Sequence, residues 1–493
     1  MSIHSRQKHE SLLTLKTRYG KQHRWLLLLS VMLGTMASVM SSTIMNVGIP
    51  DMSHYFSISQ SQAQWVTSGF MVAMTAGMLC TPWMLARWGY RQTYQACMWM
   101  LLIGGICGGI SPIYAGTLAA RVAEGLAAGI VQPIPVVIIM HAFSPEERGR
   151  ASGFFGTGVV LAPAIGPSIG GLLVDTFGWR SIFFMVVPLS MIALWLARIY
   201  VPTSAPGDAT PGEGSGKLDF MGLALAITGI VMLLIGLVEW HEHGIETGLT
   251  LLLIAALDAG IFVYWQLRLQ RRFQHHATDA RPPLMNLRVF KNRSFLMGTI
   301  VAITYGTALF GSTYLLPVYM QSGLNLSASY VGTVLLPAGL MLALTITIVG
   351  NWADKKSKHH LVIVGLSLLA LSFALIGTTN PSHGLLGLWL WVILGRIGLG
   401  FILPSLNLGA MSQLPSHLIS QGSSTINFMR MLGGAVGVSL CAIVLEWRLN
   451  SIGISNLSLA DPSTRLIAFS ETFYFLAALT ALAIWPALRL KGQ

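Results

Sequence analysis

Two charged residues lie three positions apart inside a long apolar stretch of this 493-residue chain. They are Arg121 and Glu124. On an α-helix this spacing places both side chains on one face, about 5 to 6 Å apart at Cβ. Burial favours the protonated form of a carboxyl group, whereas a neighbouring guanidinium favours the carboxylate. The spacing therefore predicts a proton-binding pair in which Arg121 tunes Glu124, with a permanent structural ion pair as the alternative.

Other polar side chains also lie inside apolar stretches. Asp258 is the other acid in mid-stretch, and it is the second candidate for proton binding. Ionisable groups are costly within a membrane, so each one marks a candidate functional position. We expect a substrate cavity to be lined by Asn46, Asn427, Arg430 and Arg396.

The residue pattern gives no support to covalent catalysis, metal binding or nucleotide hydrolysis. The cysteines at 80, 97, 107 and 441 include no Cys-x-x-Cys pair. Lys217 follows Gly-Ser-Gly, but the first glycine and the final Ser or Thr of a phosphate-binding loop are missing. We therefore expect no catalytic residues, no metal site and no cofactor, and an energy source other than ATP.

The elements that must position these side chains are membrane helices. Fourteen apolar stretches are each long enough to cross a bilayer, which takes roughly 20 helical residues. They are arranged as six, then two, then six, and 53% of all residues are hydrophobic against 10% charged. The apolar runs are continuous and do not alternate, so helices are favoured over a membrane barrel. The predicted class is all-α integral membrane.

The basic residues fall mainly on one side of these stretches. If the N-terminal tail is in the cytosol, only Arg180, Arg448 and Arg465 lie on the outer side of the membrane. Three further arginines lie within the apolar stretches. This asymmetry predicts that both termini and the basic stretch 268–293 are cytosolic. The net charge of +12 does not indicate a nucleic-acid partner, because the basic residues are spread over many short loops.

The order of the stretches indicates a duplication. A similar turn follows the second stretch, at 82–87, and the tenth, at 350–355. Two six-helix bundles with an inserted helix pair explain this spacing. The predicted parts are a basic tail (1–24), an N-terminal bundle (25–201), a linker (202–218), an inserted pair (219–267), a basic linker (268–293) and a C-terminal bundle with a short tail (294–493).

Several segments together resemble the signatures of one family. Residues 41–50 resemble L-D-x-T-I-V-N-V-A-L-P, 82–91 the loop G-x-x-x-D-R-x-G-R-R, 121–125 the motif R-x-x-Q-G and 162–171 the antiporter motif G-P-x-x-G-G, while 284–290 and 427–437 resemble further signatures. The chain thus resembles the major facilitator superfamily, in its fourteen-span drug:proton antiporter branch (EmrB/QacA-like). The gating motifs implied by the resemblance are Arg87, Gly89, Arg91, Gly166, Pro167, Gly170, Gly171, Asp354 and Lys355.

The sequence departs from the family pattern at positions that bear charge. Ala86 replaces the aspartate of the first-half loop, whereas Asp354 keeps the second-half copy. Ser41 stands where the branch usually carries an acid linked to proton coupling, and Glu124 stands where the family usually has glutamine. We therefore expect Glu124 to take over proton coupling, and the first-half loop to form a weaker charge lock.

The resemblance implies a proton-coupled exporter of amphipathic or lipophilic small molecules, not an enzyme, which works by alternating access between two bundles. It also implies a multi-pass protein of the cytoplasmic or inner cell membrane, and some relatives act with a periplasmic adaptor protein. Two alternatives stay open. They are a permease with one narrow metabolite or siderophore substrate, and a membrane sensor or assembly partner that transports nothing.

Overall fold

The described part of the chain is almost entirely helical. The computed structural model describes residues 10–212, 216–243, 245–275, 281–379, 385–452 and 462–490. Its helices are α1 (Leu12–Tyr19), α2 (His23–Phe56), α3 (Gln60–Ile110), α4 (Tyr114–Val131), α5 (Ile134–Ala142), α6 (Arg148–Phe177), α7 (Ser181–Tyr200), α8 (Phe220–His243), α9 (Ile245–His275), α10 (Arg293–Val318), α11 (Ala328–Ala353), α12 (Lys358–Gly377), α13 (Leu386–Met411), α14 (Ile419–Ser451), α15 (Pro462–Leu482) and α16 (Ile484–Leu488). This confirms the predicted all-α membrane class.

The long element α3 is a hairpin of two helices. Its backbone leaves the helical region at Gly89, where φ is +74°. Beyond that point the chain runs back, because Thr93 Oγ1 donates a hydrogen bond of 2.9 Å to the carbonyl oxygen of Met84. A Cβ at Gly89 would lie 2.3 Å from the carbonyl oxygen of Thr203. The turn therefore requires glycine both for its positive φ and for its close contact with the linker.

Two predicted boundaries differ from the observed ones. The fourth predicted span is divided into α4 and α5, and Pro133 occupies the start of α5, where its missing N–H costs no helical hydrogen bond. Helix α9 continues to His275. The first part of the predicted basic linker 268–293 is therefore helical.

The number of crossings depends on α3 and α6. Among the described residues, twelve helices are long and apolar enough to cross a membrane. The segment Gln62–Ile110 is counted as one of these twelve helices, although its chain reverses at Gly89. Helix α6 has 30 residues and is not among the twelve. If α3 is counted as two crossings and α6 is added, the total is the fourteen crossings predicted from the sequence. That number stays a prediction.

The helices form an N-terminal group, α2 to α7, and a C-terminal group, α10 to α16, with α8 packed on α9 beside them. The two groups meet where α6 contacts α11 and where α14 contacts α3. At the first contact, a Cβ on Gly350 would lie 2.5 Å from the Cα atom of Gly153. Such spacing is typical of small-residue interfaces, at which helix backbones touch directly.

The loops predicted to be cytosolic lie together at one end of the molecule. Arg24 forms an ion pair with Glu147, which joins the start of α2 to the loop before α6. In the C-terminal group, Asn292 Nδ2 donates to the carbonyl oxygen of Gln413 at 3.2 Å. Loops that contact one another must share a membrane face.

We expect Glu246→Cys and Lys356→Cys to react with a membrane-impermeant maleimide from opposite sides of the membrane, because their loops lie at opposite ends of the helices. Both native side chains are exposed. The background variant should carry Cys107→Ser, since that native thiol is also exposed. Labelling of both positions from the same side would refute the fourteen-span topology.

Candidate functional site

Arg121 and Glu124 form a buried ion pair on α4, and Ser41 of α2 joins it. Arg121 Nη1 donates to Glu124 Oε2 and, at 2.6 Å, to Ser41 Oγ. Its Nη2 donates to the carbonyl oxygen of Ser41 at 3.0 Å, and Ser41 Oγ donates to Glu124 Oε2 at 3.1 Å. We call these three residues the α2–α4 triad. It connects two helices of the N-terminal group through Ser41, which bonds to both Arg121 and Glu124.

Aromatic rings and glycine surround the α2–α4 triad. The guanidinium carbon of Arg121 lies 4.2 Å from the ring centroid of Phe70 and 6.0 Å from that of Phe183. Ring faces attract cations, and they do so more strongly when the charge is shielded from water. A Cβ on Gly104 would lie 2.6 Å from Cγ of Glu124. Glycine at 104 therefore provides the space that the longer acidic side chain occupies.

The second carboxylate oxygen of Glu124 is unpaired among the described residues. Oε1 is buried and has no hydrogen-bond partner among the described residues, and the same holds for Nε of Arg121. A buried acceptor without a partner is costly. The carboxylate of the triad thus has one oxygen that is hydrogen-bonded and one buried oxygen that has no partner among the described residues.

Ser41 and Glu124, the two positions at which the sequence departs from the family pattern, are in contact in the structure. The sequence indicated only that an acid was missing there and that Glu124 had appeared elsewhere. The structure shows that the two side chains touch, so Glu124 places its carboxylate at the contact that an acid at 41 would occupy. Sequence reasoning missed this pairing because Ser41 and Glu124 are 83 positions apart on different helices.

Three of the four predicted cavity residues lie together in the C-terminal group. Arg396 of α13 and Arg430 of α14 both lie near Tyr305 of α10. Arg430 Nη2 donates to Oδ1 of Asn427 at 2.7 Å. Within the described ranges no acid pairs with either arginine. This arginine cluster is a positively charged site, and Tyr305 is a member that sequence reasoning missed. The side chain of Asn46 lies outside the described residues.

In the second half, the motif predicted to act in gating contacts a helix end. Asp354 follows α11, and its Oδ2 accepts a hydrogen bond of 2.8 Å from the backbone N–H of Arg150, while Oδ1 accepts one from Gly149. An acid is stabilised at a helix N-terminus, so this contact fastens α11 to α6. Partial burial raises the pKa of Asp354, and the two N–H donors and Lys358 offset part of that effect. The side chain of Lys355 is exposed.

In the first half, an arginine of the motif predicted to act in gating pairs with an acidic residue of the N-terminal tail. Arg91 Nη2 pairs with Oε2 of Glu10 at 2.5 Å, and Arg91 Nε donates to the carbonyl oxygen of Val201 at 2.6 Å. Gly89 lies against the same linker, whereas Arg87 is exposed. The expected charge lock is therefore tied to the tail and the linker, which the loop sequence alone does not reveal.

A family model described as Major Facilitator Superfamily matches residues 31–438, a range that begins within α2 and ends within α14. The chain belongs to this superfamily. A solved structure of XylE, titled a proton:xylose symporter, superposes with a TM-score of 0.64 at 12% identity, and the match covers 95% of this chain and 96% of that one. At this identity the likeness establishes the fold alone.

Curated facilitators show what this chain is similar to in sequence. A multidrug resistance protein B homolog from Mycobacterium tuberculosis is 27% identical and covers 84% of this chain and 75% of its own length. The multidrug export protein EmrB from Haemophilus influenzae is 26% identical, and the match covers 91% of this chain and 85% of that protein. The riboflavin transporter RibZ from Clostridioides difficile is 24% identical, over 93% and 95%. The group therefore includes transporters named for drugs and one named for a vitamin.

The segment 162–171, predicted to be an antiporter motif, lies on α6 and faces α2. A Cβ on Gly166 would lie 2.9 Å from Thr43 Oγ1, and one on Gly170 would lie 2.4 Å from Ile44 Cγ1. Gly171 has no heavy atom within 4 Å of such a Cβ, so it faces open space. The side chain of Pro167 lies outside the described residues. The structure thus brings Gly166 and Gly170, but not Gly171, to the α2 contact.

Asp354→Asn should impair transport much more than Ala86→Asp changes it. The amide leaves one N–H of the α6 end without an acceptor, which costs about 1 to 3 kcal/mol when buried, whereas position 86 makes no such contact. Uptake into inverted vesicles is the measurement, normalised to the amount of protein in the membrane. Equal and negligible effects of the two changes would leave the loop as a topological anchor with no part in gating.

Proposed function

We propose that this facilitator exports amphipathic or lipophilic small molecules in exchange for protons, by alternating access between its two helix groups. The observation that supports this best is the α2–α4 triad, in which Glu124 has one paired and one open oxygen. An ionisable group at membrane depth that is fully buried and lies between moving helices is a candidate coupling site.

Protonation of Glu124 would change the contact between α2 and α4. The carboxylate balances the charge of Arg121 and accepts the hydrogen bond from Ser41. A protonated carboxyl carries no charge to balance the guanidinium, so Arg121 then depends on the hydroxyl and carbonyl oxygens of Ser41 and on Phe70. A proton therefore weakens the connection between the helices, and its release restores it. This is the property that a coupling site needs.

The arrangement of the two groups supports alternating access. The end at which α6 begins is closed, through Asp354, which follows α11, and through Ser423 of α14, which donates to the carbonyl oxygen of Pro133 at 2.8 Å. Towards the other end, Gly171 of α6 and Gly332 of α11 have no atom within 4 Å of a Cβ. With the predicted orientation, this is a state closed to the cytosol.

The chemistry of the substrate follows from the arginine cluster. Arg396 and Arg430 have no acidic partner among the described residues, and Tyr305 offers a hydroxyl beside them. Two guanidinium groups suit an anionic or zwitterionic head on an otherwise apolar molecule. A narrow metabolite permease is the second candidate function, and its support is the similarity to the riboflavin transporter RibZ. An inner-membrane location with cytosolic termini and a periplasmic adaptor also belong to the proposal.

The decisive test uses the purified protein in liposomes with an imposed pH gradient. Fluorescent cationic, neutral and anionic amphiphiles should be screened in parallel with riboflavin. Gradient-dependent movement of several amphiphiles supports the exporter, and movement of a single metabolite supports the permease. No gradient-dependent movement of any compound, by protein that still binds them, favours the sensor.

Glu124→Gln should abolish transport driven by a pH gradient, because an amide keeps the shape of the side chain but cannot release a proton. The double variant Ser41→Asp with Glu124→Gln moves the acid across the contact, so it should regain transport. Rates in liposomes are the measurement. Arg121→Ala serves as a contrast, since it leaves a buried acid unpaired and should lower the free energy of unfolding by about 3 to 5 kcal/mol.

Wild-type gradient-driven transport by Glu124→Gln would refute the coupling role of Glu124. Failure of the double variant, with a normal melting temperature, would show that the position of the acid matters and not only its presence at the contact. The first result would make Asp258 the next residue to test.

A further inference from the structure

A groove lies between α7 and the half of α3 that follows the turn at Gly89. It runs from Gln95 and Arg198 at one end to Ile106 and Val187 at the other, and its volume is about 530 Å³. We call it the leaflet groove. Most of its wall is apolar, and no acid is among its lining residues. Ligand sites typically have about 300 to 1,000 Å³ and mainly apolar walls, so the groove is large enough for a ligand.

One wall of the leaflet groove is a stripe of side chains on α3. Its members are Gln95, Trp99, Leu102 and Ile106. Steps of three and four residues keep these side chains on one face of the helix. Counted from the end nearest Gly89, an amide is followed by an indole and then by two aliphatic side chains. The stripe is about 16 Å long at 1.5 Å per residue.

The other wall is a stripe on α7 with the same order of side-chain types. Counted from the end of the helix, its members are Arg198, Trp195, Leu194, Met191 and Val187. The two helices are antiparallel, because the backbone N–H of Arg91 donates to the carbonyl oxygen of Pro202 at 2.9 Å while Gly105 lies against Phe183. The polar ends of both stripes therefore lie together, beside the loops predicted to be cytosolic.

The apolar end of the leaflet groove lies where the two helices touch. A Cβ on Gly105 would lie 2.8 Å from the carbonyl oxygen of Phe183, and one on Gly109 would lie 2.8 Å from the ring of Phe184. Half of a bilayer's hydrocarbon core is about 15 Å thick. The groove therefore has the depth of a single leaflet.

The order of the side chains matches the layers of that leaflet. Tryptophan is enriched at the membrane–water interface, and both Trp99 and Trp195 are exposed on the protein surface. Arginine near a helix end extends its guanidinium to the level of the headgroups, and Arg198 lies in the last turn of α7. The aliphatic side chains lie deeper, at the level of the acyl chains. A phospholipid presents the same three layers in the same order.

The charge at the polar end favours an anionic headgroup. Arg198 is exposed, and no acid lines the groove beside it. The chain that follows α7 is also next to basic groups, because Arg91 Nε donates to the carbonyl oxygen of Val201. Arg91 and Arg18 both pair with the same acid, Glu10. Two guanidinium groups thus share one carboxylate, which leaves an excess of positive charge at this end.

We propose that the leaflet groove binds an anionic phospholipid of the leaflet on the predicted cytosolic side. Its phosphate contacts Arg198 and Gln95, and one acyl chain lies along the aliphatic parts of the two stripes. A guanidinium and a phosphate form charge-assisted hydrogen bonds. Both helices belong to the N-terminal group, so binding requires no movement between the two groups. The proposal rests on the fold and does not depend on the proposed transport.

The test uses the full-length protein in phosphatidylcholine nanodiscs that contain phosphatidylglycerol with a photoreactive diazirine on one acyl chain. Mass spectrometry should locate the label in residues 99–106 or 187–195. Arg198→Gln should lower this labelling about fivefold, the effect of one basic residue near an anionic surface, and Arg198→Lys should retain most of it. Phosphatidylcholine with the same diazirine chain should label these segments less, and equally in wild type and Arg198→Gln.

Arg268→Gln is the matched control, because it makes the same change at an exposed arginine of α9 and should leave labelling by phosphatidylglycerol unchanged. Glycerol phosphate in excess should not displace the lipid, since it lacks the acyl chains. Equal labelling of wild type and Arg198→Gln by phosphatidylglycerol would overturn the proposal and leave a groove open to any lipid. Equal labelling of wild type by the two lipids, displacement by glycerol phosphate, or a label outside the two segments would also overturn it.

Discussion

A guanidinium group with none of its surface exposed, in the middle of a membrane protein, needs a negative charge and hydrogen-bond acceptors within reach. Arg121 is such a group, and its surroundings follow from that need. Glu124 supplies the charge, Ser41 supplies two oxygen atoms, and Phe70 covers the guanidinium face. The same contact that compensates the buried charge of Arg121 therefore also joins α2 to α4.

The contact between the two helix groups relies on a different constraint, the distance between backbones. Gly153 and Gly350 allow α6 and α11 to touch, and only at that distance does Asp354 reach the free N–H groups at the start of α6. Glycine contacts carry no strong directional interaction of their own. The contact between α6 and α11 thus consists of direct backbone packing and one hydrogen-bonded carboxylate, so few directional interactions hold it.

The membrane class and the superfamily were predictable, because apolar length and a set of spaced motifs depend on local sequence. The Arg121–Glu124 pair was also predictable, since both residues share one helix face. The partners Ser41, Glu10 and Gly149 were not, because they reach Glu124, Arg91 and Asp354 from 83, 81 and 205 positions away. No local pattern marks such contacts, which depend on how the helices pack.

The α2–α4 triad also constrains the order in which its residues can change during evolution. If an ancestor carried an acid at 41 and glutamine at 124, losing the acid first leaves Arg121 unpaired inside the membrane. Gaining Glu124 first places two carboxyl groups around one guanidinium, where they can share a proton. The second route avoids an unpaired buried cation at every step. Lineages with acids at both positions are therefore the intermediates to look for among the relatives of this protein.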